Sequence, residues 1–219
     1  APDPAAADLA KRAAAAMAVS MVTGGMRIGL GSGSTAAWFT RLLAERMAAE
    51  GLRVTAVPTS SGTARLAAEL GVPLTRIDTV ERLDLTVDGA DEFDRALNLM
   101  KGGGAALLQE SIVAAASARL VIIADPAKRV TRLGAFPLPV EVVRFGWPVT
   151  RKAIETALKP LGLGGRRTSV RQGDAGPLVT DEGHHIIDLH LGEIPDVAAL
   201  AAALTAIPGV VEHGLFVGM

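Results

Sequence analysis

The 219-residue sequence contains no cysteine. A disulfide framework, thiolate zinc ligation and a cysteine nucleophile are therefore excluded, and nothing points to an oxidising compartment, so a cytoplasmic location is the expectation. Aromatic residues are scarce, with five Phe, two Trp and no Tyr, too few to build a stacking surface for single-stranded nucleic acid; Trp38 and Trp147 read as packing residues. An excess of either charge is also missing. The 22 basic and 23 acidic side chains leave a formal net charge of -1, which provides neither a basic stripe for nucleic acid nor a polybasic face for anionic lipid. The expected partner is a small molecule. No run reaches the ~18 strongly apolar residues of a membrane span. Lys11 and Arg12 followed by "AAAAMAVSMV" imitate the start of a secretory signal, but the stretch is mostly alanine, lacks a clear small-x-small cleavage site and runs through "TGG" into strand-like "MRIGL". An amphipathic helix ending at Gly24 fits it better.

What the chain does have is 49% hydrophobic residues, ample for a sizeable core. Short apolar runs alternate with alanine-rich helical stretches. The pattern predicts helices over 5–22, 35–50, 62–70 and 105–117, with strands over 26–30, 53–57, 73–77, 83–87 and 119–124. Such alternation predicts an α/β fold, a mostly parallel Rossmann-like sheet with helices on both faces. After "ADPAKRV" the texture changes. "FPLPVEVV", "RRTSVR" and "HHIIDLHLG" read as strands, the last two joined through "GDAGPLVTDEG". "PVTRKAIETALKPLG" and "DVAALAAALTAI" read as helices, and "VVEHGLFVG" as a closing strand. The order βαββαβ predicts a smaller ferredoxin-like α+β domain. The expected division is 1–134 for the Rossmann-like catalytic domain and 135–205 for the small one, with 206–219 able to pack back onto the first.

Four segments could carry chemistry. In "RIGLGSGSTAAWF" a strand runs through Gly31, Ser32, Gly33, Ser34 and Thr35 into a helix, and the outward amides and hydroxyls of such a turn suit a phosphate. The third glycine of a dinucleotide fingerprint is missing, as is a Walker lysine, and the same residues also fit a tight capped turn. "LDLTVDGADEFD" ends a strand in Asp88, Gly89, Ala90 and Asp91, where open parallel sheets place their ligand crevice. Turn residues and helix caps are the alternative there, and the spacing does not follow a calcium loop. "LNLMKGGGAALLQE" sets Lys101 beside Gly102, Gly103 and Gly104, whose backbone can form a concave row of amides for an anion, as well as a loose surface turn. Glu110 falls about a turn and a half into the following helix. It faces either solvent or a crevice, where desolvation would raise its pKa toward that of a useful base. In "IIADPAKRV", Lys128 follows a strand end from which a lysine can reach a phosphate or simply stay solvated.

Other chemistries find no support. His184, His185, His190 and His213 show no convincing metal spacing, and there is no G-x-S-x-G elbow or Ser/His/Asp set.

Taken in order, "GLGSGSTA", "VDGADEFD", "LMKGGGAALLQE", "ADPAKRV", "FPLPVEV" and "IPGVVEHGLF" resemble the type A ribose-5-phosphate isomerase family over nearly the whole chain. The resemblance implies interconversion of D-ribose 5-phosphate and D-ribulose 5-phosphate in the non-oxidative pentose phosphate pathway, by a homodimer, without metal or organic cofactor. It also implies roles. Glu110 would move a proton between C2 and C1 through a cis-enediolate, and Lys101 would stabilise the developing oxyanion. Asp88 and Asp91 would hold sugar hydroxyls and help open the ring. Ser32, Gly33, Ser34 and Thr35, with Lys128 and Lys11, would take the phosphate, and Gly89, Ala90, Gly102, Gly103 and Gly104 would line the sugar. Ser32 stands where the family often has threonine, which keeps the hydroxyl, and the chain stops at Met219 where relatives commonly continue. Two other readings compete with this one. A sugar-phosphate sensor of a transcription regulator would need a DNA-binding module that the chain has no spare length for. A CoA transferase of similar architecture would exchange CoA rather than isomerise a pentose.

Overall fold

The computed structural model describes residues 4–219. The first half of the chain forms α1 (Pro4–Ser20), β1 (Arg27–Leu30), α2 (Ser34–Glu50), β2 (Thr55–Pro58), α3 (Ser61–Glu69), β3 (Leu85–Asp88), β4 (Glu92–Phe93), β5 (Leu99–Met100), α4 (Leu107–Ala115) and β6 (Leu120–Ile122). The second half continues with β7 (Leu138–Val142), α5 (Trp147–Leu158), β8 (Arg167–Val170), β9 (Gln172–Gly173), β10 (Gly176–Pro177), β11 (His185–His190), α6 (Val197–Thr205), β12 (Val210–His213) and β13 (Leu215–Phe216). The described residues form two compact units, one of residues 4–90, 109–127 and 219, the other of 91–108 and 128–218.

In the first unit a four-stranded parallel sheet runs in the order β2-β1-β3-β6. Alternation along the strands sends Ile28, Leu30, Ala56, Leu85 and Val87 to one face, where they bury against Ala15, Ala18 and Val19 of α1 and Phe39 and Leu43 of α2. Each large side chain so buried contributes about 1.5–3 kcal/mol. The opposite face carries Gly29, Thr86 and Val57. Val113 of α4 covers it so closely that a Cβ on Gly29 would lie 2.7 Å from Val113 Cγ1 and 2.0 Å from Thr86 Oγ1. Helices therefore cover both faces, as the alternating pattern predicts. Helix ends follow ordinary capping chemistry: Ser60 accepts from the Thr63 amide at the start of α3, and Gly51 closes α2 in the left-handed conformation.

The second unit contains an antiparallel sheet in the order β12-β7-β11-β8, the fourth, first, third and second strands of a βαββαβ run, which is the ferredoxin-like arrangement. Leu138, Val140, Val142, Ile187 and Leu189 meet Ile154 and Leu158 of α5 and Leu200 and Leu204 of α6 in its core. A second, three-stranded antiparallel sheet, β13-β5-β4, stands in the same unit.

Three local expectations are corrected. Residues 73–77 form no strand: Pro73 lacks an N–H, only Leu74 bridges to Ala56, and a short 3-10 turn, Ile77–Thr79, follows. The closing strand is two strands in two sheets, parted at Gly214. The two-residue strands β4 and β5 have no sequence counterpart among the predicted elements, being too short to show a period. The division near Gly134, with 206–219 packing back onto the first domain, stands as our proposal; the compact units are bounded elsewhere, and Leu215–Phe216 pairs with Leu99–Met100. Among the described residues no helix is long and apolar enough to cross a membrane.

Gly214 is where the chain passes from one sheet to the other. Its N–H donates to Pro139 O at 2.8 Å and its carbonyl accepts from the Lys101 amide at 2.8 Å. A Cβ there would lie 2.2 Å from Lys101 O, so only glycine fits. Gly214→Ala is expected to cost about 1–3 kcal/mol through overpacking. At roughly 2–4 °C per kcal/mol for a chain of this size, a thermal scan should show a clear fall in Tm, and an unchanged Tm would contradict the close contact.

Candidate active site

At the C-terminal edge of the parallel sheet, the turn leaving β1 is shaped by close approach. A Cβ on Gly31 would lie 2.1 Å from Asp88 Oδ1 and 2.5 Å from Asp88 Cα, so β1 can pass the end of β3 only as glycine. The Asp88 carboxylate, 1% exposed, accepts the amides of Ser32 at 3.1 Å and Gly89 at 2.7 Å through Oδ1. Two backbone donors on one oxygen fix its orientation. Gly33 then takes φ 90 and caps α2 without any side-chain acceptor. The first turn of α2, with Ser34 and Thr35, thus presents its amides and the positive end of the helix dipole where an anion can sit. Lys11 brings a cation to the same place, its Nζ donating to Ser34 Oγ at 3.0 Å.

Ser32 is the centre of a hydroxyl cluster that the sequence reading missed. Its Oγ lies 2.8 Å from Thr59 Oγ1, 2.8 Å from Ser60 Oγ and 3.2 Å from Thr63 Oγ1. Thr63 Oγ1 also donates to Gly31 O, and Thr59 Oγ1 to Leu30 O. The signal was present in "VPTSSGT", a strand running through hydroxyl residues into a helix, as "GLGSGST" does.

Glu110 stands in the first turn of α4 and is 5% exposed. The solvent-face alternative is thereby removed. It lies one turn before Val113, on the same helix side, and Val113 packs on Gly29 and Thr86. Because β3 and β6 are parallel, the helix between them runs back against the strands, which puts its N-terminal turn at the sheet's C-terminal edge. Asp88 and the phosphate-type turn occupy that edge too.

The second unit holds Asp91, Lys101 and the three glycines. The Gly103 amide donates to Asp91 Oδ2 at 2.8 Å, and a Cβ on Gly103 would meet Asp91 Oδ1 at 2.6 Å. Gly102 adopts φ 101, whereas Gly104 has open space around it. Ala105 follows at φ 62, a left-handed conformation that costs a non-glycine residue about 1–2 kcal/mol. Its amide donates to Gly102 O at 3.1 Å. Lys101 is 3% exposed, with Nζ 5.6 Å from the centre of the Phe216 ring. Lys128 is half-buried on the 3-10 turn Pro126–Lys128. Ala90 follows Gly89 at the end of the first unit. No group of three His, Asp or Glu side chains among the described residues is placed to hold a metal ion.

Residues 55–219 match the family model of ribose 5-phosphate isomerase A (phosphoriboisomerase A). The chain belongs to that family. It is 59% identical over 210 residues to the ribose-5-phosphate isomerase A of Cereibacter sphaeroides, covering 96% of this chain and 84% of that one. It is 56% identical over 213 residues to that of Nitrobacter hamburgensis, covering 97% and 91%. Among solved structures, the ribose 5-phosphate isomerase A of Methanocaldococcus jannaschii superposes with a TM-score of 0.90 at 39% identity, over 97% of this chain and 92% of that one. A D-ribose-5-phosphate isomerase in complex with phospho-erythronic acid superposes with a TM-score of 0.89 at 36% identity, over 97% and 91%. The protein is thus a ribose-5-phosphate isomerase of pentose phosphate metabolism.

The contact of Gly31 with Asp88 makes a direct prediction for this enzyme. Gly31→Ala forces the turn or the carboxylate aside, and a displacement near 1 Å costs on the order of a hundredfold in rate. Steady-state kinetics should show kcat/KM reduced by at least tenfold, about 1.4 kcal/mol of transition-state stabilisation. A variant with wild-type kcat/KM would contradict the need for close approach there.

Proposed function

We propose that the isomerisation proceeds by proton transfer through a cis-enediolate, with Glu110 as the base. In the open-chain aldose, the Glu110 carboxylate takes the proton from C2, and the electron pair moves into a C1–C2 double bond. The carbonyl oxygen at C1 gains the negative charge. Returning the proton to C1 and moving one from the C2 hydroxyl to the C1 oxygen yields the ketose, with no net change in atoms or charge. General acid–base catalysis of this kind contributes about 10²–10⁴-fold. The observation that carries the assignment is the burial of Glu110 at the C-terminal edge of the parallel sheet, at 5% exposure, in a member of this family.

Lys101 supplies the fixed cation for the enediolate oxygen, a role worth about 10²–10³-fold when one such donor is removed. Asp88, fastened by two backbone amides, and Asp91, fastened by one, hold sugar hydroxyls and assist ring opening. The amides and hydroxyls of Ser32, Gly33, Ser34 and Thr35, with Lys11 and Lys128, bind the phosphate, while Gly89, Ala90, Gly102, Gly103 and Gly104 leave room for the sugar. A relative in complex with phospho-erythronic acid, a phosphorylated sugar acid, supports a substrate of this class. The working form is a cytoplasmic homodimer of the non-oxidative pentose phosphate pathway, and the reaction uses no metal or organic cofactor.

The test is to follow ketose formation from ribose 5-phosphate with and without EDTA. Both reactions should run at the same rate, because the base and the cation are side chains. Loss of activity on chelation with recovery on adding a divalent ion would overturn the mechanism, and no ketose in either reaction would overturn the function.

A further inference from the structure

The geometry points to Arg171 and Asp188 as a positioning pair that fixes the 101–104 loop for the reaction, an inference that rests on the mechanism proposed above. Arg171 follows the edge strand β8, its amide donating to Ile186 O at 2.8 Å. Two of its guanidinium nitrogens grip Asp188 of β11, Nε to Oδ2 at 3.0 Å and Nη2 to Oδ1 at 2.6 Å. The side chains are 16% and 15% exposed. A pair that merely stitched β8 to β11 would need no more than this. The third nitrogen, Nη1, instead donates to Gly102 O at 2.8 Å and to Gly103 O at 3.2 Å. The planar fork lets one side chain serve the carboxylate and both carbonyls, which a lysine cannot do.

The consequence follows from the planarity of the peptide bond. In a trans peptide the carbonyl and the N–H point in opposite directions. The peptide between Gly102 and Gly103 is therefore clamped at both ends, its oxygen on Arg171 and its N–H on Asp91 Oδ2 at 2.8 Å. With Gly103 O also turned toward Arg171, the Gly104 N–H points away from it. A cation on the carbonyl side also polarises these peptides and strengthens their N–H groups as donors. Three successive glycines are conformationally loose, and a left-handed Ala105 follows them. Without a brace, Lys101 and the loop amides would sample several arrangements. Arg171 thus acts through Asp91, Lys101 and the loop rather than by touching the sugar.

The test compares Arg171→Met, Arg171→Lys and Asp188→Asn with wild type, using ribose 5-phosphate turnover, inorganic phosphate as competitive inhibitor, and circular dichroism for folding. Wild type without turnover would sink the underlying mechanism, independently of the brace. Given an active wild type, folded Arg171→Met should lose about 10–100-fold in kcat. Its KM and its phosphate inhibition constant should stay within about threefold, since the interaction is felt in the transition state. Arg171→Lys and Asp188→Asn should lose less, with the same split. A folded Arg171→Met with wild-type kcat overturns the inference. So does a rise in KM and in the phosphate constant matching the fall in kcat, which would make Arg171 an anion contact. If Arg171→Met does not fold, wild-type kcat in both other variants overturns it.

Discussion

The carboxylate of Asp88 is held by two backbone amides at a point that β1 can pass only because residue 31 has no side chain. Much of the first unit depends on that crowding. It brings the end of β3 against the turn leaving β1, so that the turn enters α2 through Gly33 with the helix amides uncapped by a side chain. The same crowding brings Ser32 within reach of the hydroxyls of Thr59, Ser60 and Thr63. The fold supplies a parallel sheet edge, and the glycines decide how near its loops can come to each other.

The second unit meets a related constraint with a different device. Gly214 links Pro139 to Lys101 through its own amide and carbonyl, tying the three-stranded sheet to the ferredoxin-like one at the residue that carries the cation. The loop beyond Lys101 is held by polar contacts with Asp91 and Arg171. Hydrogen bonds to charged groups are each worth about 1.5–3 kcal/mol. That is enough to offset the left-handed strain at Ala105.

The long elements were legible in the sequence because their periods repeat. Helices α1, α2, α5 and α6 and the core strands of both units fall within a few residues of the predicted spans, and the βαββαβ order led directly to the ferredoxin-like sheet. The proposed site residues were legible for a different reason: glycine runs and clustered acids interrupt an apolar pattern, and such interruptions need an explanation. What escaped was either too short to show a period, as with β4 and β5, or determined by partners remote in sequence. Nothing in "RRTSVRQGD" signals that Arg171 reaches a loop nearly seventy positions away. The triple glycine turned out to have separate causes. Gly102 needs its φ, Gly103 must make room for Asp91, and Gly104 alone is left open.

In the mechanism we propose, burial of Glu110 in the first turn of α4 is the link between this fold and proton transfer. The most direct measurement is hydrogen exchange at C2 of ribose 5-phosphate, followed by NMR in deuterated water, for wild type and Glu110→Gln. The wild type should exchange the C2 hydrogen with solvent while it isomerises, and the folded variant should lose both activities by about 10²–10⁴-fold. Exchange and isomerisation by Glu110→Gln at near wild-type rates would contradict the account and move the base to Asp88 or Asp91.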